Sequence, residues 1–273
     1  MSSMEISNLT LEKIRSMFAE GKRFDSRGLL DFRDIVVEHN VSNKAEGSAR
    51  VKLGKTEVIV GVKLQVGEPY ADSQDKGNLM VSADLLPLAS PNYEMGPPKF
   101  PAIELPRIVD RAIRESKMID LSSLCIKVGE KVWTVIIDIY PINDDGNVID
   151  AAAIAAVVAL KNATLPELDK DGKIDYDKKT KESVPLVKGT IPLSITFYKL
   201  GDSIIVDPTR EEEEACETRI SLGASYRGDE IFFNSAQKSG GGKVPLSRAD
   251  FDKIISIYPK KFEELNKKLK KFL

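Results

Sequence analysis

Val51-Lys52-Leu53-Gly54-Lys55-Thr56-Glu57-Val58-Ile59-Val60-Gly61-Val62-Lys63-Leu64-Gln65-Val66 is the stretch on which the fold turns. Val51 and Leu53 lead into Gly54-Lys55, and beyond the turn Val58, Val60, Val62, Leu64 and Val66 recur at every second residue. Successive side chains of a strand point to opposite faces, so this spacing collects the aliphatic ones on a single apolar face. The segment predicts a β-hairpin. Similar turn signals recur at Gly129-Glu130, Gly201-Asp202 and Gly228-Asp229. Hairpins pair neighbouring strands without a helical crossover, so their recurrence argues against a doubly wound parallel sheet and for an α+β fold.

Upstream of the hairpin, Leu9 to Ala19 places Leu11, Ile14 and Phe18 near helical spacing and ends at Gly21, which predicts a short amphipathic helix over about 8–20. A basic connector, Lys22 to Gly28, follows. Downstream, Leu79 to Leu88 reads as a strand, closed by Pro87 and the proline-rich loop Pro91 to Pro101. The period turns helical from about Pro106 to Met118. Strands resume at Leu124 to Val128 and Lys131 to Tyr140, before the loop Asn143-Asp144-Asp145-Gly146-Asn147. Asp150 then stands where an N-cap would, ahead of a helix over Ala151 to Ala163 that is apolar on all sides and so expected to be buried. The polar insert 166–182, rich in Lys and Asp, reads as an exposed loop or small hairpin. Strands are expected at Ile191 to Lys199, Ser203 to Val206, Arg219 to Tyr226 and Glu230 to Asn234. Ser247-Arg248-Ala249-Asp250 resembles a capping box opening a last helix with a lysine-rich end. The chain thus reads as two similar strand-rich halves, about 30–163 and about 190–273, with helices packed on mixed sheets. They are expected to share one core as a single domain over 1–273.

Composition narrows the chemistry. At 273 residues, 42% hydrophobic and 30% charged, the chain can bury a core without disulfides or metals and is not a disordered polymer. Cys125 and Cys216 make neither a disulfide framework nor a zinc site, which needs about four ligands. His39 is the only histidine, and its polar setting, Glu38-His39-Asn40, suits a surface position at a strand end. Ser-His-Asp and Cys-His mechanisms therefore find no support. No basic segment followed by an apolar run opens the sequence, and the longest apolar run, Ala151 to Leu160, is about half a bilayer span. A soluble cytoplasmic protein without a membrane partner is expected. With 40 Lys+Arg against 42 Asp+Glu the net charge is −2, so any polyanion must be drawn by local positive charge.

One such charge stands out. Arg107, Arg111 and Arg114 fall within about 60° of one another on a helix, opposite Ile108, Val109, Ala112 and Ile113. A row of guanidinium forks suits the phosphates of a nucleic-acid backbone, which it grips without reading bases. The bland alternative is a solvated face whose arginines pair with Glu104, Asp110 or Glu115. A second candidate is the acidic run from Asp207 to Glu214, with Glu217 and Arg219. Clustered carboxylates can hold Mg²⁺, yet consecutive residues cannot all face one ion, and a solvated loop is the expectation. Ser239-Gly240-Gly241-Gly242-Lys243 fails as a phosphate loop, because Gln237 and Val244 stand where that pattern needs Gly and Ser or Thr.

Several segments, taken in order, resemble the RNase PH-like family. Arg23-Phe24-Asp25-Ser26-Arg27-Gly28 with Asp31-Phe32-Arg33 is similar to its opening motif. Gly47-Ser48-Ala49 and Leu53-Gly54-Lys55-Thr56 match its first hairpin, and Gly77-Asn78-Leu79 and Leu85-Leu86-Pro87-Leu88-Ala89 its next strand. Ala102-Ile103-Glu104-Leu105 and Gln237-Lys238-Ser239-Gly240-Gly241 bring the likeness closest to the non-catalytic ring subunits of the archaeal exosome. The resemblance implies an RNase PH-like fold and a hexameric ring of three heterodimers with a catalytic paralogue, joined by RNA-binding cap subunits. Single-stranded RNA would be threaded through it and degraded from its 3′ end by phosphorolysis.

What the resemblance implies for this chain lies in its departures. Active members hold phosphate with Gly-Ser-Arg where this chain has Gly146-Asn147-Val148, so Asn147 and Val148 lack the arginine fork. They hold Mg²⁺ with two aspartates whose positions fall here on Glu213 and Arg219. An arginine in that seat implies that the chain has no catalytic residues and binds no metal or cofactor of its own, Mg²⁺ and phosphate belonging to the partner subunit. Arg107 and Arg111 match arginines that reach RNA at the neighbouring catalytic site. Arg114 either joins them or pairs with an acidic residue. Two other readings stay open at this point. One is an active phosphate-dependent 3′-to-5′ exoribonuclease drawing ligands from Glu211 to Glu217, the other a binding or scaffold module unrelated to RNA.

Overall fold

The computed structural model describes residues 6–168, 174–238 and 244–273. The first half runs α1 (Asn8–Ala19), β1 (Ile35–His39), β2 (Gly47–Leu53), β3 (Thr56–Gly67), β4 (Asn78–Ala83), α2 (Phe100–Ser116), β5 (Cys125–Lys127), β6 (Lys131–Asn143) and α3 (Val148–Lys161). A hairpin of β7 (Thr164–Leu168) and β8 (Ile174–Ser183) leads to the second half. That half comprises β9 (Leu193–Leu200), β10 (Ser203–Val206), α4 (Arg210–Ala215), β11 (Thr218–Arg227), β12 (Glu230–Lys238) and α5 (Arg248–Leu269).

The opening hairpin forms as its spacing dictates. Leu53 pairs with Thr56 across the turn, and Val51, Leu53, Val58, Val60, Val62 and Leu64 are all fully buried. Removing each such side chain from water stabilises the fold by about 1.5–3 kcal/mol. Gly54 takes the left-handed turn conformation (φ 60°), and a Cβ there would come within 2.4 Å of the Arg33 stem. The hairpin sits in a mixed sheet of order β1-β2-β3-β6-β4, antiparallel except for the β4–β6 pair, with β5 pairing to β6. The second sheet, β10-β9-β11-β12, is antiparallel throughout, and Gly201 and Gly228 supply the positive φ of its tight turns. Helix α3 packs on β2 and β3 of one sheet and β9 of the other, with every residue from Val148 to Leu160 buried. One contiguous apolar cluster therefore contains residues of both sheets. A second, small cluster seats Ile14 and Phe18 of α1 against Tyr198, Leu200 and Ile205.

Several boundaries differ from the sequence reading. The strand read as Leu79 to Leu88 stops at Ala83, because after the Asp84 N–H bonds the Ile139 carbonyl the chain turns back at Leu86 to Ala89. Helix α2 begins at Phe100 rather than Pro106, since Pro101 falls in the first turn, where a missing N–H costs nothing. Asp150 is not the cap of α3. Asn147 is, because Val148 and Ile149 extend the apolar surface upstream and the Asp150 carboxyl turns inward. The acidic run is not a solvated loop: residues 210–215 form α4, started by a reciprocal capping box between Thr209 and Glu212, with Glu212 buried. His39 lies exposed at the end of β1. The described part of the insert pairs β7 antiparallel with β8, while residues 169–173 and 239–243 lie outside the described residues.

Helix α5 starts at Ser247 with the capping box to Asp250, and the Asp250 carboxylate also receives Lys199 of β9. That lysine, with Ser247, holds the Asp250 carboxyl down at about 2, below its unfolded value near 3.8. The folded state therefore binds fewer protons, and the stability it gains is complete above about pH 4 and fades as pH falls toward 2. Lys199→Met is expected to be less stable than the parent at pH 6, with the gap closing near pH 2 in urea titrations. An unchanged gap across that range would remove the pair from the account.

Candidate functional site

Helix α2 buries Leu105, Ile108, Val109, Ala112 and Ile113 and leaves Arg107, Arg111 and Arg114 exposed in one row. Arg107 and Arg111 have no hydrogen-bond or ion-pair partner among the described residues and border an open cleft of about 300 Å³ with Val81, Pro106 and Asp110. Arg114 is engaged. Its Nε and Nη2 grip Asp110 at 3.0 and 2.6 Å, and Nη2 also donates to the Leu79 carbonyl at 3.0 Å. Of the acidic partners expected for the row, only Asp110 is used in this way. Glu104 is buried and bonds outside the helix instead.

Glu104 meets Arg219 of β11. Arg219 Nη2 lies 2.6 Å from Glu104 Oε2, and its Nη1 lies 3.1 Å from Glu213 Oε1 of α4. Glu213 also accepts the Tyr198 hydroxyl at 3.1 Å and the Asn147 N–H, at the start of α3, at 2.8 Å. Burial works against the Arg219 charge, but Tyr198, Glu213 and Glu104 outweigh it and hold the guanidinium protonated above its ordinary range. Burial, then the Glu213 charge, pushes the Tyr198 hydroxyl well up. Asn147 is fully buried with a left-handed backbone (φ 57°), its amide donating to Asp150 and Asp207 at 3.0 and 3.1 Å. Burial lifts the Asp150 carboxyl to about 7, against hydrogen bonds from Thr196 and Asn147. Val148 is buried as well. Neither Asn147 nor Val148 presents a charge to an incoming anion.

The opening motif frames this centre. Arg33 clasps buried Asp207 through Nη2 to Oδ1 at 2.7 Å and its backbone N–H to Oδ2 at 2.7 Å, and donates to the Asp145, Gly146 and Pro208 carbonyls. Arg27 donates to the same carboxylate at 3.1 Å, and Arg23 forms a buried two-pronged pair with Glu212. Gly146 (φ 87°) lets the two loops touch, since a Cβ there would lie 2.6 Å from the Pro208 carbonyl oxygen.

The magnesium that the resemblance associates with positions 213 and 219 does not fit these residues. A permanent cation already lies between Glu104 and Glu213, and a divalent ion about 4 Å from it would be repelled by roughly 8 kcal/mol at an effective dielectric near 20. Two further carboxylates of the run are committed, Glu212 to Arg23 and Glu217 to Arg15 and the Gly201 N–H. Among the described residues no group of three His, Cys, Asp or Glu side chains converges as metal ligands. None of their helices is long and apolar enough to cross a membrane.

Comparison with known proteins fits this architecture. Residues 31–166 match the model of the 3′ exoribonuclease family, domain 1 (RNase PH), and residues 190–257 match its domain 2. The chain belongs to the RNase PH family. It is 45% identical over 260 residues to the exosome complex component Rrp42 of Methanosarcina acetivorans, covering 95% of this chain and 93% of that one. The Archaeoglobus fulgidus protein of the same name is 42% identical over 257 residues, 94% of each. Among solved structures, the Archaeoglobus fulgidus exosome with RNA bound to the active site superposes with a TM-score of 0.85 at 40% identity, covering 96% of this chain and 98% of that one. Rice Rrp46, at 18% identity and a TM-score of 0.64 over 90% of this chain and 97% of that one, shares the fold alone.

Within this RNase PH fold, Asn147, Glu213 and Arg219 come together in one network, while Arg107 and Arg111 lie outside it and border the cleft. Sequence reasoning missed Tyr198, took Asp207 only as part of the acidic run, and weighed Glu104 only as a partner for the arginine row. Only the tertiary fold brings them in: Glu104 and Arg219 are 115 residues apart.

Proposed function

We propose that this chain is a non-catalytic ring subunit of an exosome, paired with a catalytic RNase PH-like paralogue in a hexamer of three heterodimers. In this reading the partner supplies phosphate binding, Mg²⁺ ligands and acid–base chemistry. This chain supplies Arg107 and Arg111, whose free forks bind successive phosphates of the RNA held at the partner's site. Arg114, its fork shared with Asp110 and Leu79, adds charge at the end of the row. Single-stranded RNA and cap subunits complete the assembly, and the near-neutral net charge suits a protein that grips RNA only through one local row.

The observation that carries the non-catalytic reading is Arg219, seated between Glu104 and Glu213 where the resemblance would require a magnesium ligand. The relatives named as exosome components, and the RNA-bound exosome that superposes over nearly the whole chain, support the ring assembly. Incubated alone with poly(A), phosphate and Mg²⁺, the chain is expected to release no nucleoside diphosphate. Mixed with its paralogue it should raise that enzyme's activity several-fold. Phosphate-dependent release of nucleoside diphosphates by the lone chain would overturn the reading.

A further inference from the structure

The residue that closes this centre to metal does something else. Among the described residues, Arg219 is the cation whose ion pairs join α2 to the second half of the molecule, through Glu104 on α2 and Glu213 on α4. Glu104 is 4% exposed, and among the described residues Arg219 is its only donor, its Oε1 being buried without a partner there. It lies one turn ahead of Arg107 and two turns ahead of Arg111. Between them stands Pro106, which has no N–H to donate to the Ala102 carbonyl, so the seat of the opening turns depends more on side-chain ties such as that of Glu104 to Arg219. At the other end of the row, Arg114 fastens α2 to the Leu79 carbonyl of β4.

We propose that Arg219, acting through Glu104, is a positioning residue that fixes the height and rotation of α2 and so aims Arg107 and Arg111 at RNA phosphates. Arg219 itself touches no RNA. The inference rests on the reading of Arg107 and Arg111 as RNA contacts. It gives the substitution that removes chemistry from this subunit a role in the shared site. A guanidinium suits that role because its planar fork binds two carboxylates on different elements at once, which a compact ammonium cannot do with the same geometry.

The two ways in which Glu104 could influence RNA predict opposite signs. If Glu104 acts only as a nearby negative charge, Glu104→Gln removes repulsion and tightens RNA binding. If it pins the helix, Glu104→Gln weakens binding although a negative charge has gone. The test uses the complex of this chain with its catalytic paralogue and a fluorescent oligo(A), followed by anisotropy without phosphate across a salt series. Glu104→Gln and Arg219→Met are each expected to weaken binding about tenfold. Each should also lower the slope of log affinity against log salt, by up to about 1.4 for two lost phosphate contacts. Arg219→Lys, which keeps a cation on Glu104, should recover part of the loss, and the mass of the complex should stay that of the parent. Binding by Glu104→Gln that is unchanged or tighter, while Arg107→Ala with Arg111→Ala weakens it, overturns the positioning role alone. If the double alanine variant binds as the parent does, the RNA contacts fail and the positioning role fails with them.

Discussion

Reversing both free arginines, Arg107→Glu with Arg111→Glu, is expected to weaken RNA binding by the assembled complex at least a hundredfold while the ring still forms. Each charge-assisted hydrogen bond to a phosphate contributes about 1.5–3 kcal/mol, so losing two removes about 3–6 kcal/mol before any repulsion from the new carboxylates. The assembled state should survive because both side chains are exposed and unpaired among the described residues, so their replacement leaves no buried group without a partner. The measurements are RNA anisotropy and the mass of the complex. A matched variant, Arg114→Glu, would behave differently, since it breaks the ties to Asp110 and Leu79 and disturbs α2 as well as its charge. Normal RNA processing by the double reversal, in a complex of correct mass, would remove the arginine row from the mechanism.

The parts of this molecule that short-range physics decides were legible in its sequence. The period-two run Val58 to Val66, the helical spacing of Ile14 and Phe18, the box Ser247 to Asp250 and the all-apolar helix after Asp150 each became the element expected. The exposed face bearing Arg107, Arg111 and Arg114 was legible for the same reason, because a helix sorts its residues by angle. What the sequence concealed are choices made across space. Asp150 has the chemistry of an N-cap, yet Val148 and Ile149 gain more from burial within the helix, and its carboxyl finds Thr196 instead. The run Glu211 to Glu214 reads as solvated until Arg23, far away in sequence, draws Glu212 inside. Glu104 was weighed only against its helical neighbours, whereas its partner comes from another sheet. Charged residues are the hardest to place from local pattern because one distant counter-ion reverses their preference for water.

The second large effect concerns that hidden lattice. Arg33→Met is expected to lower the unfolding free energy of the isolated chain by about 3–5 kcal/mol, the usual result of breaking a buried ion pair from one side. Arg33 is 7% exposed and Asp207 not exposed at all, so the methionine leaves a carboxylate in the interior that, among the described residues, keeps Arg27, Asn147 and one backbone N–H to satisfy it. The carbonyls of Asp145 and Pro208 lose the Arg33 donor in the same step, while that of Gly146 keeps the Thr56 hydroxyl at 2.6 Å. Against a typical total of about 5–15 kcal/mol this is a large fraction, and it should appear as a lower urea midpoint with an unchanged slope. Arg50→Met is the contrast: Arg50 pairs with Glu38 and Glu57 at a partly exposed site, where about 0–1 kcal/mol is expected. Adding Asp207→Asn to Arg33→Met should restore part of the loss, because the stranded charge goes and the amide oxygen still accepts from Arg27. A loss below about 1 kcal/mol for Arg33→Met would mean that water reaches Asp207. The opening motif would then be a surface feature rather than the clasp that draws the loops at 145–147 and 207–210 together.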